Sequence, residues 1–434
     1  MATTIHNPGS GPAGAGTFTG KHSPCRCWRK TPWAASITCT RNRPFFNLYG
    51  YLLYTLFGAR FLEALHWGDI ALSAATVAML YSTARRITGR GGLAWAIGLL
   101  YALNVDIYLY HAESFYTLLT TFWIMAAVFC LAQALPAPTG PARAPVAWLL
   151  GFVLVLTLLI LTRSLYHLLL LAGALPFAAV LAGARWRRVL LLGGLISLLA
   201  VGWYAKNWGE FGFFGSSSWS GANLWKIARQ GYTAEDFEEL AAQGVIDPFV
   251  RDNPGEFYPP SHFANQGYAR TSTVPVLAQD DYHNINYPAI SQRYGENALR
   301  LIRHHPRHYL GTVHRAYSLF NCPTATSYAR LTWEAEKIPL HTRLYTRYLY
   351  GQALTERLER WLGLAPGALC SVQALAFPLV LGVYGVAAIR TCGAGLAALA
   401  GPLARRRCNF RRLCYDHIHI RGFDMAGVRR EHAL

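Results

Sequence analysis

Residues 146–162 read VAWLLGFVLVLTLLILT, a run of 17 uncharged side chains that is followed directly by Arg163. About 20 residues of this kind cross the hydrocarbon core of a bilayer as a helix, because each residue adds about 1.5 Å. Residues 45–65 are apolar and aromatic but carry Arg60 and Glu63, so they either span the membrane or lie at its interface. Runs similar to 146–162 recur at residues 68–83, 91–110, 115–135, 165–181, 189–204 and 368–389.

These runs predict a mainly α fold. We expect a polytopic transmembrane helix bundle of about seven spans plus an interfacial helix, with a large, mostly helical extracytoplasmic domain. The predicted regions are a disordered basic tail (1–44), a transmembrane core (45–206), an extracytoplasmic domain (207–366), a C-terminal transmembrane region (367–404) and a basic cytoplasmic tail (405–434).

The charge distribution predicts which side each loop faces. The chain has a net charge of +18, yet residues 207–366 contain 15 basic and 15 acidic residues, so the excess lies in short loops and tails. The basic clusters at 85–90, 143, 185–188 and 405–407 fall on alternate turns, which places them in the cytoplasm by the positive-inside rule. The 207–366 region then lies outside, at what we expect to be a bacterial inner (plasma) membrane. No basic stripe is present, so nucleic-acid binding is not expected.

Local signals predict helices within residues 207–366. Thr233 and the acidic residues after it are typical of a helix start, and Gly244 can end that helix. Residues 289–304 and 307–320 have amphipathic spacing and are separated by Pro306. Residues 333–364 are predicted to be largely helical.

Arg163 and Lys206 are the two basic exceptions on the predicted outer side. A charge beside hydrocarbon is costly and is a functional-site hypothesis by default. We expect both side chains to bind a lipid-linked phosphate, because arginine offers a planar fork to phosphate oxygens and lysine a compact charge. The alternative is that both snorkel to lipid headgroups.

Asp106 and Glu113 lie in the same predicted outer loop and are the candidate catalytic carboxylates. Either could act as a general base or hold an acceptor amine, and otherwise they pair with Arg163 or Lys206 or cap a helix. Tyr108 and Tyr166 are candidate substrate-binding residues, with an interfacial aromatic belt as the alternative. No cofactor is certain. A divalent metal at the carboxylates is an open hypothesis, whereas the histidines (His304, His305, His308 and His314) favour a surface role over metal binding.

Several segments together resemble the C-type membrane glycosyltransferases, which include protein O-mannosyltransferases and the aminoarabinose transferases of lipid A. The resemblance covers roughly residues 43–390. The matching stretches are RPFFNLYGY (43–51), LYSTARRITGR (80–90), ALNVDIYLYHAE (102–113), LTRS (161–164), WYAKNW (203–208) and NALRLIRHHPRHYL (297–310).

The resemblance implies that a sugar arrives on a polyprenyl phosphate in the outer leaflet. An acceptor hydroxyl or amine, of unknown identity, attacks the anomeric carbon, and the lipid phosphate leaves with inversion. Arg163 and Lys206 would stabilise the leaving phosphate, and Asp106 or Glu113 would orient or deprotonate the acceptor. The expected partners are therefore the polyprenyl-phosphate-linked sugar, membrane lipids and that acceptor.

The chain also departs from the family pattern. The resemblance implies a main catalytic Asp in the first outer loop, after a first span, but no Asp or Glu precedes Glu63. We therefore expect weak or no activity, as for a family member with an altered beginning and end. Two other functions stay open: a transporter or flippase of the lipid-linked sugar, and a non-catalytic membrane subunit.

Overall fold

A computed structural model describes residues 44–113, 116–135, 145–255, 260–268, 285–320 and 335–364. Within these residues the chain is 84% helical and contains no strand, which confirms the mainly α prediction. The expected tails at 1–43 and 405–434 and the expected C-terminal transmembrane region lie outside the described residues.

Eight helices of the described chain form the first half of the fold. Their buried positions are rich in alanine, and Gly151 and Gly193 lie against Cys130 and Leu175 of neighbouring helices. Small residues of this kind let helices approach closely in a membrane. The helices are α1 (Pro44–Phe57), α2 (Phe61–Thr88), α3 (Gly91–Ala102), α4 (Val105–Glu113), α5 (Thr117–Ala134), α6 (Val146–Thr162), α7 (Leu168–Ala182) and α8 (Trp186–Phe211).

Large apolar side chains point outward from this bundle. Leu191, Leu195 and Leu198 on α8 are 75%, 64% and 57% exposed, whereas Ala200 on the same helix is fully buried. Leucines on the outside and alanines on the inside suit a bundle surrounded by hydrocarbon, because lipid tails are as apolar as leucine.

Fewer membrane spans are found than the sequence predicts. By length and composition, two described helical segments can cross a membrane, Thr117–Ala134 and Leu168–Gly209, or three if the bent pair α3 and α4 counts as one span. Helix α6 is shorter, and α2 carries charged residues along its length. The predicted span at 368–389 lies outside the described residues.

The segment Leu168–Gly209 is a helical hairpin. At Gly183 the backbone adopts φ 56°, a left-handed conformation that glycine accepts without steric cost, and α7 ends there. Helix α8 then packs back against α7, with Gly193 in contact with Leu175. The 42 residues of this segment therefore form two antiparallel arms.

Two predicted boundaries are corrected. Residues 45–65 do not form one element, because a short 3₁₀ turn at Gly58–Arg60 separates α1 from α2. Residues 91–110 bend by 44° between α3 and α4. The bend has a local cause, since the Asn104 side chain accepts a hydrogen bond from the backbone N–H of Asp106 and so starts a new helix.

A second hydrophobic core lies in the 207–366 region. Trp225 and Tyr294 are fully buried at its centre and stack at 6.2 Å between ring centroids. Ser291 accepts hydrogen bonds from the backbone N–H groups of Gly221 and Ala222, which joins α9 to α13. The helices are α9 (Ser220–Ala228), α10 (Ala234–Ala242), α11 (Pro248–Asp252), α12 (Pro260–Phe263), α13 (Tyr287–His304), α14 (Pro306–Phe320), α15 (Pro339–Leu344) and α16 (Gln352–Leu362).

The local predictions in this region are confirmed. Thr233 and Asp236 form a reciprocal capping box at the start of α10, and Gly244 follows its end at φ 72°. Pro306 is the first residue of α14 and separates it from α13. The described part of 333–364 is helical but broken, because Gly351 adopts φ 72° before α16.

Candidate functional site

Arg163 and Lys206 lie at the same end of the helical bundle. Arg163 follows α6 directly, and its guanidinium carbon lies 5.4 Å from the ring centroid of Tyr116, which precedes α5. In the loop after Arg163, His167 contacts Tyr204 near the end of α8, with 5.5 Å between ring centroids. Lys206 is two residues beyond Tyr204. We call this the Arg163 end.

The neighbouring groups hold both cations in place. The ammonium group of Lys206 lies 4.3 Å from the ring centroid of Trp203 and donates a hydrogen bond to the side-chain oxygen of Asn207 at 3.2 Å. Asn207 is 1% exposed, and its amide donates to the carbonyl of Gly215 at 2.7 Å. Contacts between a cation and an aromatic face stabilise the charge by about 0.5–1 kcal/mol at exposed sites, and by more where water is excluded.

Arg163 contacts an aromatic ring, that of Tyr116, and no acidic side chain in the part of the chain that the structure describes. Among the described residues, no carboxylate lies within ion-pair distance of its guanidinium group. Tyr166 stays close, since its backbone N–H donates to the carbonyl of Arg163 at 3.1 Å, but its side chain packs against the bundle core. Tyr166 is therefore placed beside the cation, with its ring partly engaged in packing.

The opposite end of the bundle carries the basic clusters. The guanidinium group of Arg86 donates hydrogen bonds to the carbonyls of Ala132, Gln133 and Leu135 at 2.8, 3.3 and 2.7 Å. Arg185 lies in the turn between α7 and α8. Cations near a helix C-terminus are favourable because they complement the helix dipole.

Asp106 lies in a small core of its own. Only 8% of its surface is exposed, and one carboxylate oxygen accepts a hydrogen bond from the Tyr350 hydroxyl at 2.6 Å. Val105 and Leu109 of α4 pack there against Tyr345. Burial, followed by the charge of Asp106, raises the pKa of Tyr350 and of Tyr345 above the usual tyrosine value. The tyrosine hydroxyl therefore stays protonated and serves as the donor.

The remaining candidates are placed less centrally. Tyr108 is 47% exposed and contacts His341 edge to face, with 5.4 Å between ring centroids. His341 in turn bonds the carbonyl of Leu103 at 2.9 Å. Glu113 ends α4, and its side chain lies outside the described residues. The structure therefore brings Arg163, Tyr166 and Lys206 to one end and places Asp106 under the 335–350 segment.

Histidines of α13 and α14 line a cavity of about 480 Å³. The Tyr232 hydroxyl bonds His305 Nδ1 at 2.8 Å, and His308 Nε2 bonds the carbonyl of Gln230 at 2.7 Å. In the described part of the chain, no group of three His, Cys, Asp or Glu side chains is arranged to hold a metal ion. The hypothesis of a divalent metal at Asp106 and Glu113 stays a prediction, because the Glu113 side chain lies outside the described residues.

Two features of the structure were missed by sequence reasoning. Tyr350 is 244 residues from Asp106, and no local pattern indicates that contact. Asp69 is 3% exposed on α2, within the run 68–83 that was treated as uniformly apolar. An acidic residue inside such a run is itself a signal, since intramembrane carboxylates are rare.

Comparisons of the chain with protein-family models, with curated proteins and with solved structures give no match. The residues of the chain itself are therefore the basis for assigning its function.

Proposed function

We propose that the chain is a membrane glycosyltransferase-like protein that moves a sugar from a polyprenyl-phosphate donor to an acceptor at the outer membrane face. The observation that carries this proposal is the position of Arg163 and Lys206 together at the end of the bundle opposite Arg86 and Arg185. Cations that serve only to orient the protein in the membrane are expected at the cytoplasmic end. In the proposed topology Arg163 and Lys206 lie at the outer end instead.

The proposed topology has about seven spans, with α7 and α8 counted as separate arms of the hairpin and 368–389 as the last span. Arg86 and the turn at Gly183–Arg185 then face the cytoplasm, and the Arg163 end faces outward. The 207–366 region begins within α8, directly after Lys206, so it lies on the outer side as well.

Each residue has a defined part in the proposed reaction. The bond between the anomeric carbon and the phosphate oxygen breaks, and the phosphate takes the electron pair. Arg163 and Lys206 stabilise the charge that develops on that phosphate. The acceptor oxygen or nitrogen forms the new bond with inversion, and its proton passes to a carboxylate, for which Asp106 and Glu113 are the candidates. Tyr108 and Tyr166 would line the sugar site.

One observation favours a non-catalytic subunit as the second candidate. Asp106 is 8% exposed and already accepts a hydrogen bond from Tyr350, so a substrate reaches it only after the 335–350 segment moves. A general base has to come within about 3 Å of the proton that it removes. A protein that keeps the bundle without transferring sugar would have this arrangement at rest.

Reconstitution with a polyprenyl-phosphate sugar tests the proposal. Because the first-loop Asp of the family pattern is not found, we expect release of free polyprenyl phosphate to be weak. Arg163→Ala and Lys206→Ala should each lower it at least tenfold, since removing one group that stabilises a developing charge typically costs a hundredfold or more (about 10²–10³). Arg90→Ala is the matched control, because Arg90 is exposed and follows α2 at the opposite end. Movement of intact lipid-linked sugar between leaflets without release would indicate a flippase, and binding without either process a subunit.

A further inference from the structure

Helix α2 turns polar side chains into the apolar interior of the bundle. Asp69, Thr76 and Thr83 are 3%, 2% and 5% exposed. Thr76 satisfies its hydroxyl within the helix, since it donates to the carbonyl of Leu72 at 2.7 Å. A carboxylate has no hydrogen to donate, so Asp69 cannot be satisfied in the same way.

Asp69 lies against α1 and has an oxygen without a hydrogen-bond partner among the described residues, namely Oδ2. The hydroxyl of Tyr49 on α1 is in close contact with Gly68, the residue before Asp69. No described Lys or Arg lies within ion-pair distance of Asp69. Its charge therefore has no counter-ion in this part of the chain.

His111 on α4 completes the cluster. Its Nε2 lies 3.2 Å from the hydroxyl oxygen of Ser73, which is one helical turn after Asp69 on the same face of α2. Its Nδ1 is buried and has no partner within the described residues. His66, also on α2, meets the His111 ring edge to face, with 6.0 Å between centroids.

An ionised carboxylate is costly inside a membrane bundle, and a proton removes its charge. The His111 ring reaches α2 at Ser73, one turn after Asp69, and an imidazole can bind or release a proton near neutral pH. We propose that Asp69, Ser73 and His111 form a proton-exchange site inside the bundle, with Asp69 as the group that carries the proton at neutral pH.

The groups that face this site from neighbouring helices are few. Within the described residues they are Tyr49 from α1 and, on α2 itself, His66. Phenol groups are uncharged at neutral pH, so the histidines are the residues that tune the site. The proposal does not depend on glycosyl transfer and holds for any function of the bundle.

Infrared spectroscopy of the full chain in lipid vesicles tests this proposal. A protonated carboxyl group has a carbonyl band distinct from that of a carboxylate. We expect such a band at neutral pH, its loss in Asp69→Asn, and its retention in Glu63→Gln, a matched control because Glu63 is exposed on the same helix. The band should shift in heavy water, because the proton exchanges.

Two further variants keep the test decisive if Asp69→Asn does not fold. His111→Gln and Ser73→Ala should each change the pH at which half of the band is lost, because each removes one side of the bond between these residues. An Asp69→Asn spectrum identical to that of the unsubstituted chain would overturn the proposal. So would a band that does not shift in heavy water, or a midpoint unchanged in both of the other variants.

Discussion

The hydrogen bond between Tyr350 and Asp106 joins the 335–364 segment to α4, and removing it should measurably destabilise the protein. Tyr350→Phe deletes only the hydroxyl that donates to the carboxylate at 2.6 Å. A hydrogen bond to a charged group contributes about 1.5–3 kcal/mol. Because Asp106 is 8% exposed, water replaces the lost donor poorly. We therefore expect the free energy of unfolding to fall by an amount near the upper end of this range, about 2–3 kcal/mol.

The assay is chemical unfolding in detergent, with Tyr348→Phe as the matched control. Tyr348 is two residues away and 68% exposed, so its hydroxyl should matter by less than about 0.5 kcal/mol. A double-mutant cycle with Asp106→Asn isolates the coupling between the two side chains. Equal effects of the two Tyr→Phe substitutions, or a coupling energy near zero, would refute this reasoning.

The same contact should make stability depend on alkaline pH. Burial, followed by the charge of Asp106, raises the pKa of Tyr350 in the folded state above its unfolded value of about 10. The resulting stabilisation is complete below pH 10 and is lost as the pH rises above it, because the unfolded chain releases the phenolic proton first. Tyr350→Phe should flatten this decline in a series of unfolding curves, and an unchanged slope would contradict it.

Three further predictions concern the second core. Gly221→Ala should lower the free energy of unfolding by about 1–3 kcal/mol in thermal unfolding, because its methyl group would collide with the backbone of Ser291. The control Gly311→Ala, on the open side of α14, should be neutral or stabilising. Equal effects of the two substitutions would contradict this prediction. Trp225→Ala should cost about 3–5 kcal/mol in urea, since the ring is fully buried, and a cost below 1 kcal/mol would be inconsistent with that burial. For Asp247, burial raises the pKa, but hydrogen bonds from Asn297 and Arg293 and the charge of Arg293 outweigh burial and lower the pKa below its unfolded value. The stabilisation by Asp247 is therefore present above the unfolded pKa and is lost as the pH falls through the lowered folded pKa. Asp247→Asn should make stability depend less on pH in acid, and an unaltered acid midpoint by circular dichroism would argue against this.

Features with a local cause could be predicted from the sequence. The capping residue Thr233 and the break at Pro306 depend on neighbours within a few residues, and both helix boundaries follow from them. The run 146–162 becomes one helix with the same limits for a similar reason, since an uninterrupted apolar sequence has no competing start or end signal.

Features that depend on contacts between distant parts of the chain could not be predicted from the sequence. The bond between Asp106 and Tyr350 spans 244 residues, and nothing in either segment selects the other. The bend before α4 follows from a single side chain, Asn104, whose capping role competes with the apolar run around it. The ring of Tyr116 reaches Arg163 only through tertiary packing, whereas Trp203 lies three residues before Lys206 on α8 and so within one helical turn of it.

The three hydrogen bonds from Arg86 to the last turn of α5 have a consequence for how the protein is made. Positively charged loops tend to remain in the cytoplasm during membrane insertion, and in the proposed topology Arg86 is one of those charges. Once α5 has inserted, the same guanidinium fastens the end of α2 to the end of α5. In the proposed topology, inverting α2 and α5 would break these three hydrogen bonds and move a cation through hydrocarbon, which makes the orientation difficult to reverse.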